Sequence, residues 1–267
     1  MEPTNYIALN RQNWNNRVDG HLSSEFYDMK SFRTGENSLK EIELNLLGNV
    51  SGKKILHLQC HFGQDTLSLA RMGAQVTGID FSDKAIEEAK KLSTELQLNA
   101  RFICCDIYDA PQHLDEKFDI VYTTYGTIGW LPDVQKWADV IAQFLNPNGQ
   151  LIFVDFHPVV WMFDDDFKHI IYNYFQENPI IEEISGSYAN KDLEITDTTI
   201  TWNHGLSEVY QALQQAGLSI QHFSEYPFSP YNCLRNMIES EPNRFQIEHL
   251  QNKIPMVYAL TAHPKAQ

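Results

Sequence analysis

From residue 53 onward the sequence alternates short apolar runs with amphipathic ones, and that alternation leaves few folds open. KKILHL, QVTGID, ARFICCD, FDIVYTTYG and QLIFVDF have the length and residue types of buried strands. Between them lie apolar residues at helical spacing: Ala85, Ile86, Ala89 and Leu92 in one segment, Val134, Trp137, Ile141 and Phe144 in another. Strands that alternate with helices pair in parallel through right-handed crossovers, which predicts a doubly wound, Rossmann-like α/β sheet. Gly73 is placed to end one helix in the left-handed conformation, and Ser82 to cap the next.

The last third reads differently. Residues 157–200 are rich in aromatics and acids without a clear period, and read as an insertion after the fifth strand. LSEVYQALQQAG is a helix with Leu206, Val209, Leu213 and Ala216 inward. LSIQHFSEY and PMVYALTAH are two more strands with no helix between them, which predicts an antiparallel C-terminal pair closing a mostly parallel, seven-stranded sheet. The expected division is an N-terminal helical lid over 1–45, a Rossmann-like core over 46–156, an aromatic and acidic insertion forming a cap over 157–200, and the rest of the core sheet over 201–267.

A chain of 267 residues with 43% hydrophobic content can fill such a core. A net charge of −15 without any Lys/Arg-rich run argues against nucleic acid or an anionic membrane as partner. No apolar run approaches the roughly 20 residues that span a bilayer, and the opening residues lack a signal-peptide pattern. Cys60, Cys104, Cys105 and Cys233 form neither a disulfide framework nor a CxxC pair, so a reducing, cytoplasmic location is expected. His57, Cys60 and His61 are close in sequence, but His57 and Cys60 have opposite strand parity, and a zinc site wants about four ligands. No metal site is therefore expected there, and Asp164-Asp165-Asp166 reads as a solvated acidic loop.

In open parallel sheets ligands bind beyond the carboxyl ends of the strands. Four segments stand there: the loop Gln59–Thr66, Asp80, Asp106, and Thr123–Gly126. An acid about 20 residues past the loop can hold both hydroxyls of an adenosine ribose, and Asp80 stands near that distance from Gly63. Capping the following helix is the bland alternative for Asp80, although Ser82 or Asp83 can do that. Asp106 can accept from an adenine amino group, or be a simple loop carboxylate.

On these residues, segment 53–155 resembles the class I S-adenosylmethionine-dependent methyltransferases, in which a glycine-rich loop follows the first strand and an acid ends the second. A tighter likeness, from NRQNWNNRVDGH to IPMVYAL, is to a subfamily in which LHLQCHFG replaces that loop. The resemblance implies S-adenosyl-L-methionine as cofactor and S-adenosyl-L-homocysteine (SAH) as product. It implies cofactor contacts at Trp14, His21, Gln59, Cys60, His61, Gly63, Thr66, Asp80, Phe81, Cys105, Asp106, Ile107, Thr123 and Thr124. His57 takes the family's acid position, and Gln59 and His61 take its first two glycines. Such replacements are expected to keep φ below zero with side chains turned aside or used as contacts, leaving Gly63 as the closest backbone approach. Gly63→Val is then expected to abolish binding without unfolding. Asp65 or Thr66 is expected to cap the helix that follows, Thr66 also reaching the methionine carboxylate.

The implied reaction is methyl transfer to an acceptor, expected to be a small molecule and not legible further, as is the oligomeric state. In-line positioning can lower such a barrier by roughly 7–11 kcal/mol, and each aromatic face can stabilise the sulfonium by about 0.5–2 kcal/mol. Trp14, His21, Tyr27 and Phe32 are placed to fold over the cofactor, and Trp161, Phe163, Tyr172, Tyr174 and Phe175 to roof the acceptor. Equally, these rings are the core of an auxiliary layer. Removing residues 1–35 is expected to leave a folded core that binds cofactor weakly. If the acceptor needs a general base, His157 comes first, with Asp155, His21, His204 and Tyr125 behind it. Two other readings stay open: a non-catalytic, regulatory protein that binds an adenosine cofactor, and an NAD-dependent oxidoreductase, against which the missing GxGxxG counts.

Overall fold

The computed structural model describes residues 6–265, so the first five residues of the expected lid lie outside the described residues. Three helices, α1 (Tyr6–Leu22), α2 (Met29–Arg33) and α3 (Glu41–Leu47), precede the sheet. The alternating unit follows: β1 (Lys54–Leu58), α4 (Gln64–Arg71), β2 (Gln75–Asp80), α5 (Asp83–Leu96), β3 (Ala100–Cys104), α6 (Ala110–His113), β4 (Phe118–Thr124), α7 (Val134–Phe144) and β5 (Leu145–Phe156). A hairpin of β6 (Ile180–Ser185) and β7 (Thr196–Thr201) comes next, then α8 (Leu206–Gln215) and β8 (Leu218–Tyr226). A second hairpin, β9 (Met237–Glu241) and β10 (Arg244–Ile247), precedes the last strand, β11 (Val257–Pro264).

The seven strands of the main sheet lie in the order β3-β2-β1-β4-β5-β11-β8. Pairing is parallel from β3 to β5, while β11 runs antiparallel to both β5 and β8. The expected antiparallel pair is present, and β11 alone is reversed, since β8 then points the same way as β5. Side-chain alternation sorts the core between the two faces. In β1, Ile55 packs with Leu69 and Tyr122, and Leu56 and Leu58 pack with Trp137 and Val121. With both faces covered, the strands are apolar almost throughout, as parallel strands must be.

Two helix signals read from sequence fall in place. Ser82 caps α5, its hydroxyl accepting from the Ala85 N–H at 3.1 Å, worth about 1 kcal/mol. Gly73 follows α4 at φ 90°. Two hairpins add to the expected elements, and one expectation needs correction. The insertion after β5 contains the β6–β7 hairpin, whose alternation is hidden by its partly exposed Thr and Glu residues. The β9–β10 hairpin had no counterpart in the sequence reading. The N-terminal segment is no detachable cover, because Met29 and Phe32 are buried in a cluster with Phe62, Leu67, Ile86 and Phe102.

Cutting at residue 35 would thus remove part of the core. Phe32→Ala is expected to lower unfolding free energy by about 3–5 kcal/mol in urea titration; a loss below about 1 kcal/mol would show α2 to be dispensable to the fold.

Candidate functional site

The strand order reverses between β1 and β4, and a cavity of about 660 Å³ opens beyond the carboxyl ends of the strands at that point. Such a switch point is where open α/β sheets bind ligands. The walls carry Gln59, Cys60, His61 and Gly63 from the loop after β1, Asp80 and Phe81 after β2, and Cys105, Asp106 and Ile107 after β3. Thr124 and Tyr125 line it at the end of β4, and Trp14 comes from α1. Of the fourteen expected cofactor contacts, taken with His157 and Tyr125, twelve thus meet in one place.

Four do not line it. Thr66 is fully buried, with its hydroxyl 2.8 Å from His57 Nδ1, tying α4 to β1. Thr123 is fully buried and donates to the Thr127 hydroxyl. His21 lies behind the wall, its Nδ1 3.0 Å from His61 Nε2. His157 follows the end of β5, and its N–H donates to Met256 O, which ties it to the chain entering β11. Its ring then reaches Glu225 on β8, Nε2 to Oε1 at 2.9 Å. That contact withdraws His157 as a base facing the cavity.

The loop departs from expectation in its backbone. Gln59 and His61 have φ of 55° and 50°, the left-handed region, instead of φ below zero. A backbone conformation that glycine adopts most readily is kept here without glycine. Local bonds hold it: the His61 N–H donates to Asp80 Oδ2 at 2.8 Å, and Gln59 Nε2 donates to Thr127 O at 2.9 Å. Gly63, at φ 77°, is itself the N-cap of α4, with no side-chain cap, so neither Asp65 nor Thr66 caps that helix. A Cβ on Gly63 would stand 2.6 Å from Phe102 Cε1 and 3.1 Å from Ala89 Cβ. Gly63 therefore permits close packing of α4 against β3 and α5, as well as lining the cavity.

Asp80 is buried, and burial pushes its carboxyl up to about 6 despite the N–H donors of Ser82, His61 and Phe81. The His61 N–H reaches Oδ2 and the Ser82 N–H reaches Oδ1, each at 2.8 Å. Asp106 accepts from Tyr108 N–H at 2.8 Å through Oδ1, leaving Oδ2 without a partner in that turn. Burial also holds both imidazoles of the His21–His61 pair neutral, His21 down to about 3 and His61 well below its ordinary value. His57 bonds to Thr66 while His61 bonds to His21, so the three residues of the weighed zinc reading do not converge. Asp165 pairs with Arg235 at 3.1 Å, and Asp164 with His169 at 2.9 Å.

On the far side, Tyr125 sits at φ 47° and donates through its hydroxyl to Glu43 Oε2 at 2.7 Å. Glu43 is fully buried, and burial raises its carboxyl to about 7. Asp155 is saturated by the N–H groups of Gly126, Thr127, Ile128 and Phe156, a structural role that removes it as a base. His204 is held between Leu131 O and Glu208. Trp161, Phe163 and Tyr172 line the roof, whereas the Tyr174 hydroxyl accepts the Leu206 N–H at the start of α8, and Phe175 is 81% exposed.

Sequence reasoning missed Glu43, Tyr231 and the polar inner face of α1. Asn10, Trp14, Arg17 and His21 recur at helical spacing on that face, which was the available signal. Asn10 exchanges two bonds with the Ile200 backbone on β7, at 2.8 and 3.1 Å. Helix α1 thereby rests on β7.

A parallel sheet closed by one reversed strand, with acids ending β2 and β3 at a shared cavity, is the Rossmann-like fold of S-adenosylmethionine-dependent methyltransferases. Residues 55–149 match the family model described as a methyltransferase domain. The ubiquinone biosynthesis O-methyltransferase of Coxiella burnetii is 34% identical over 115 residues, 43% of this chain and 47% of that enzyme. The chain therefore spans about half the length of the curated relatives it matches. An S-adenosylmethionine-dependent methyltransferase from Clostridium acetobutylicum superposes with a TM-score of 0.58 at 14% identity, over 97% of this chain and 100% of that one. The DhpI–SAH complex superposes with a TM-score of 0.57 at 18% identity, over 99% of both chains. At such identities the likeness is one of fold.

Two outcomes follow from this geometry. Gly63→Ala adds a methyl group against Phe102 at a left-handed position, and is expected to cost about 2–4 kcal/mol of stability. A variant of unchanged melting temperature would contradict the packing role, and Gly63→Val is now expected to destabilise the fold as well. Glu43 is raised to about 7 from 4.5, so its protonated form stabilises the fold fully below 4.5, and that contribution is lost as pH rises through about 7. Glu43→Gln should remove a slope on the order of 3 kcal/mol across that window, measured by urea unfolding as a function of pH.

Proposed function

We propose that this chain is a class I S-adenosyl-L-methionine-dependent methyltransferase for a small-molecule acceptor, of the subfamily carrying LHLQCHFG in place of the glycine-rich loop. The observation that carries the reading is the chemistry of the cavity wall. Beside Asp80, the buried Trp14 Nε1, Gln59 Oε1 and His61 Nδ1 have no hydrogen-bond partner. Buried polar atoms are ordinarily satisfied, so a lining with this many free donors and acceptors fits a polar ligand. Asp80 suits a ribose diol, Asp106 and the Cys105–Ile107 turn suit an adenine edge, and the loop after β1 suits an amino-acid tail.

When bound, the cofactor supplies an electrophilic methyl group on a sulfonium. The chain's residues would position the acceptor and exclude water. Trp14 packs edge-on against Trp130 at 5.3 Å, and Tyr27 bonds to Tyr188 of the insertion, closing the cavity from above. Tyr125, which lines the cavity with its hydroxyl on Glu43, is the group placed to hold or relay an acceptor proton at Oη. A volume of about 660 Å³ falls within the roughly 300–1,000 Å³ of small-molecule sites. Among the described residues no helix is long and apolar enough to cross a membrane. The net charge of −15 opposes a nucleic-acid acceptor, and a cytoplasmic location is part of the same proposal. The reversed β11 between β5 and β8 disfavours an NAD enzyme, whose sheet order runs 3-2-1-4-5-6.

Calorimetry tests the reading. Saturable binding of S-adenosyl-L-methionine, none of NADH, and at least about 10-fold weaker binding by Asp80→Ala are expected. A labelled-methyl screen over small hydroxy, amino and thiol compounds should then give transfer. Binding without transfer to any small molecule, protein or nucleic acid would favour the regulatory alternative, and NADH binding would reject the proposal.

A further inference from the structure

Tyr125 follows β4 with a backbone that a bulky side chain resists. Its φ of 47° is left-handed; its N–H is held by Val154 O at 2.7 Å, and the next N–H, of Gly126, goes to Asp155. Such strain persists only where the surroundings over-determine it, and it clusters at functional sites. Tyr125 lines the cavity, and the rings of Tyr231 and Phe156, which also line it, lie 5.0 and 6.1 Å away. A flat ring fits beside them.

Glu43, on α3, stands behind this tyrosine and does not line the cavity. Its Oε1 accepts the Lys40 N–H at 2.6 Å, as in a capping box, and its Oε2 accepts the Tyr125 hydroxyl at 2.7 Å. A capping box needs only the start of a helix and no burial, so it leaves unexplained why Glu43 is 0% exposed. Lys40 does not offset the charge, because its Nζ lies over the Tyr231 ring, 5.0 Å from the centroid. Asp65 of α4, whose charge bears on Glu43, is itself bonded to Ser38 Oγ at 2.5 Å. An ionised carboxylate can only accept hydrogen bonds. The hydroxyl proton of Tyr125 is therefore committed to Oε2, and lone pairs are what Oη has left to offer.

Resting on the functional reading above, we propose that Glu43 is a positioning residue that fixes Tyr125 Oη as a hydrogen-bond acceptor, restricting the methyl-receiving substrate to molecules that present an O–H or N–H to it. The same line gives that proton an exit. It moves to Tyr125 Oη as the tyrosine's own proton moves to Glu43 Oε2, leaving the tyrosine unchanged and the carboxyl neutral.

Equilibrium dialysis on the SAH-loaded full chain tests this with two flat bicyclic probes of similar size. The pH is 8, above the value of about 7 to which burial raises Glu43. Indole offers a ring N–H and no nitrogen lone pair for hydrogen bonding; quinoline offers the reverse. Wild type should prefer indole by roughly 10-fold, and Tyr125→Phe should bind the two alike. Glu43→Gln separates positioning from mere packing. Its amide oxygen stays on the Lys40 N–H, so its NH2 faces Tyr125 Oη and donates to it. The tyrosine proton then turns outward, and the preference should invert to quinoline. The ratio of two probes on one variant does not depend on how much of it is folded. An unchanged ratio in either variant, or loss of the preference without inversion in Glu43→Gln, overturns the inference in favour of a structural tie between α3 and the end of β4. Equal binding of the probes by wild type, a preference for quinoline, or binding of neither overturns it and leaves the cofactor reading intact. If SAH itself does not bind, the functional reading falls together with it.

Discussion

The Asp80 carboxylate is the interaction on which the site depends. One oxygen takes the N–H of His61 and the other that of Ser82, so a single buried group joins the loop after β1 to the start of α5. Parallel strands end with backbone N–H groups that leave the sheet and still require partners. Asp155 meets the same demand at the end of β5, where it gathers the turn Gly126–Ile128. Each carboxylate satisfies donors that would otherwise be buried unpaired, and together they hold the floor of the cavity in one shape. Burial raises both above their ordinary values while the N–H groups pull them back.

The roof is built by different means. Helix α1 is bound to β7 through Asn10, which behaves as an extra strand residue toward Ile200, and through Asn16 on Asp197. Tyr27 and Tyr188 join the segment after α1 to the insertion, and Phe26 stacks on Tyr231 at 5.5 Å. Three pieces of chain well separated in sequence thus form one cover. Their polar and aromatic contacts explain why the insertion has no apolar period: its inner side faces a cavity and a polar helix.

The parallel core was legible because both sheet faces are covered, which writes continuous apolar runs such as KILHL and QVTGID between helices of clear period. Asp80 and Asp106 were legible because strand ends fall at fixed offsets from the loop. The backbone of that loop was not. A left-handed glutamine and a left-handed histidine look like substitutions that forbid the turn, and only the bonds to Asp80 and Thr127 reveal how it persists. His157 looked well placed from its number past β5, yet its neighbours across the sheet, Met256 and Glu225, lie far along the chain. Glu43 belongs to a short helix whose carboxylate also accepts the Lys40 N–H, and nothing local marks it as the partner of Tyr125.

The His21–His61 contact has a consequence for recognition. Two neutral imidazoles 3.0 Å apart share one proton between Nδ1 and Nε2. If His21 donates, the outer Nδ1 of His61 carries hydrogen; if His61 donates, that nitrogen is bare and the outer Nε2 of His21 is the protonated one. The outer nitrogens are therefore always of opposite sense, and a tautomer exchange inverts them without changing net charge. Of the two rings only His61 lines the cavity, so the exchange turns the hydrogen-bonding sense of one wall residue while its inverse stays behind the wall on His21.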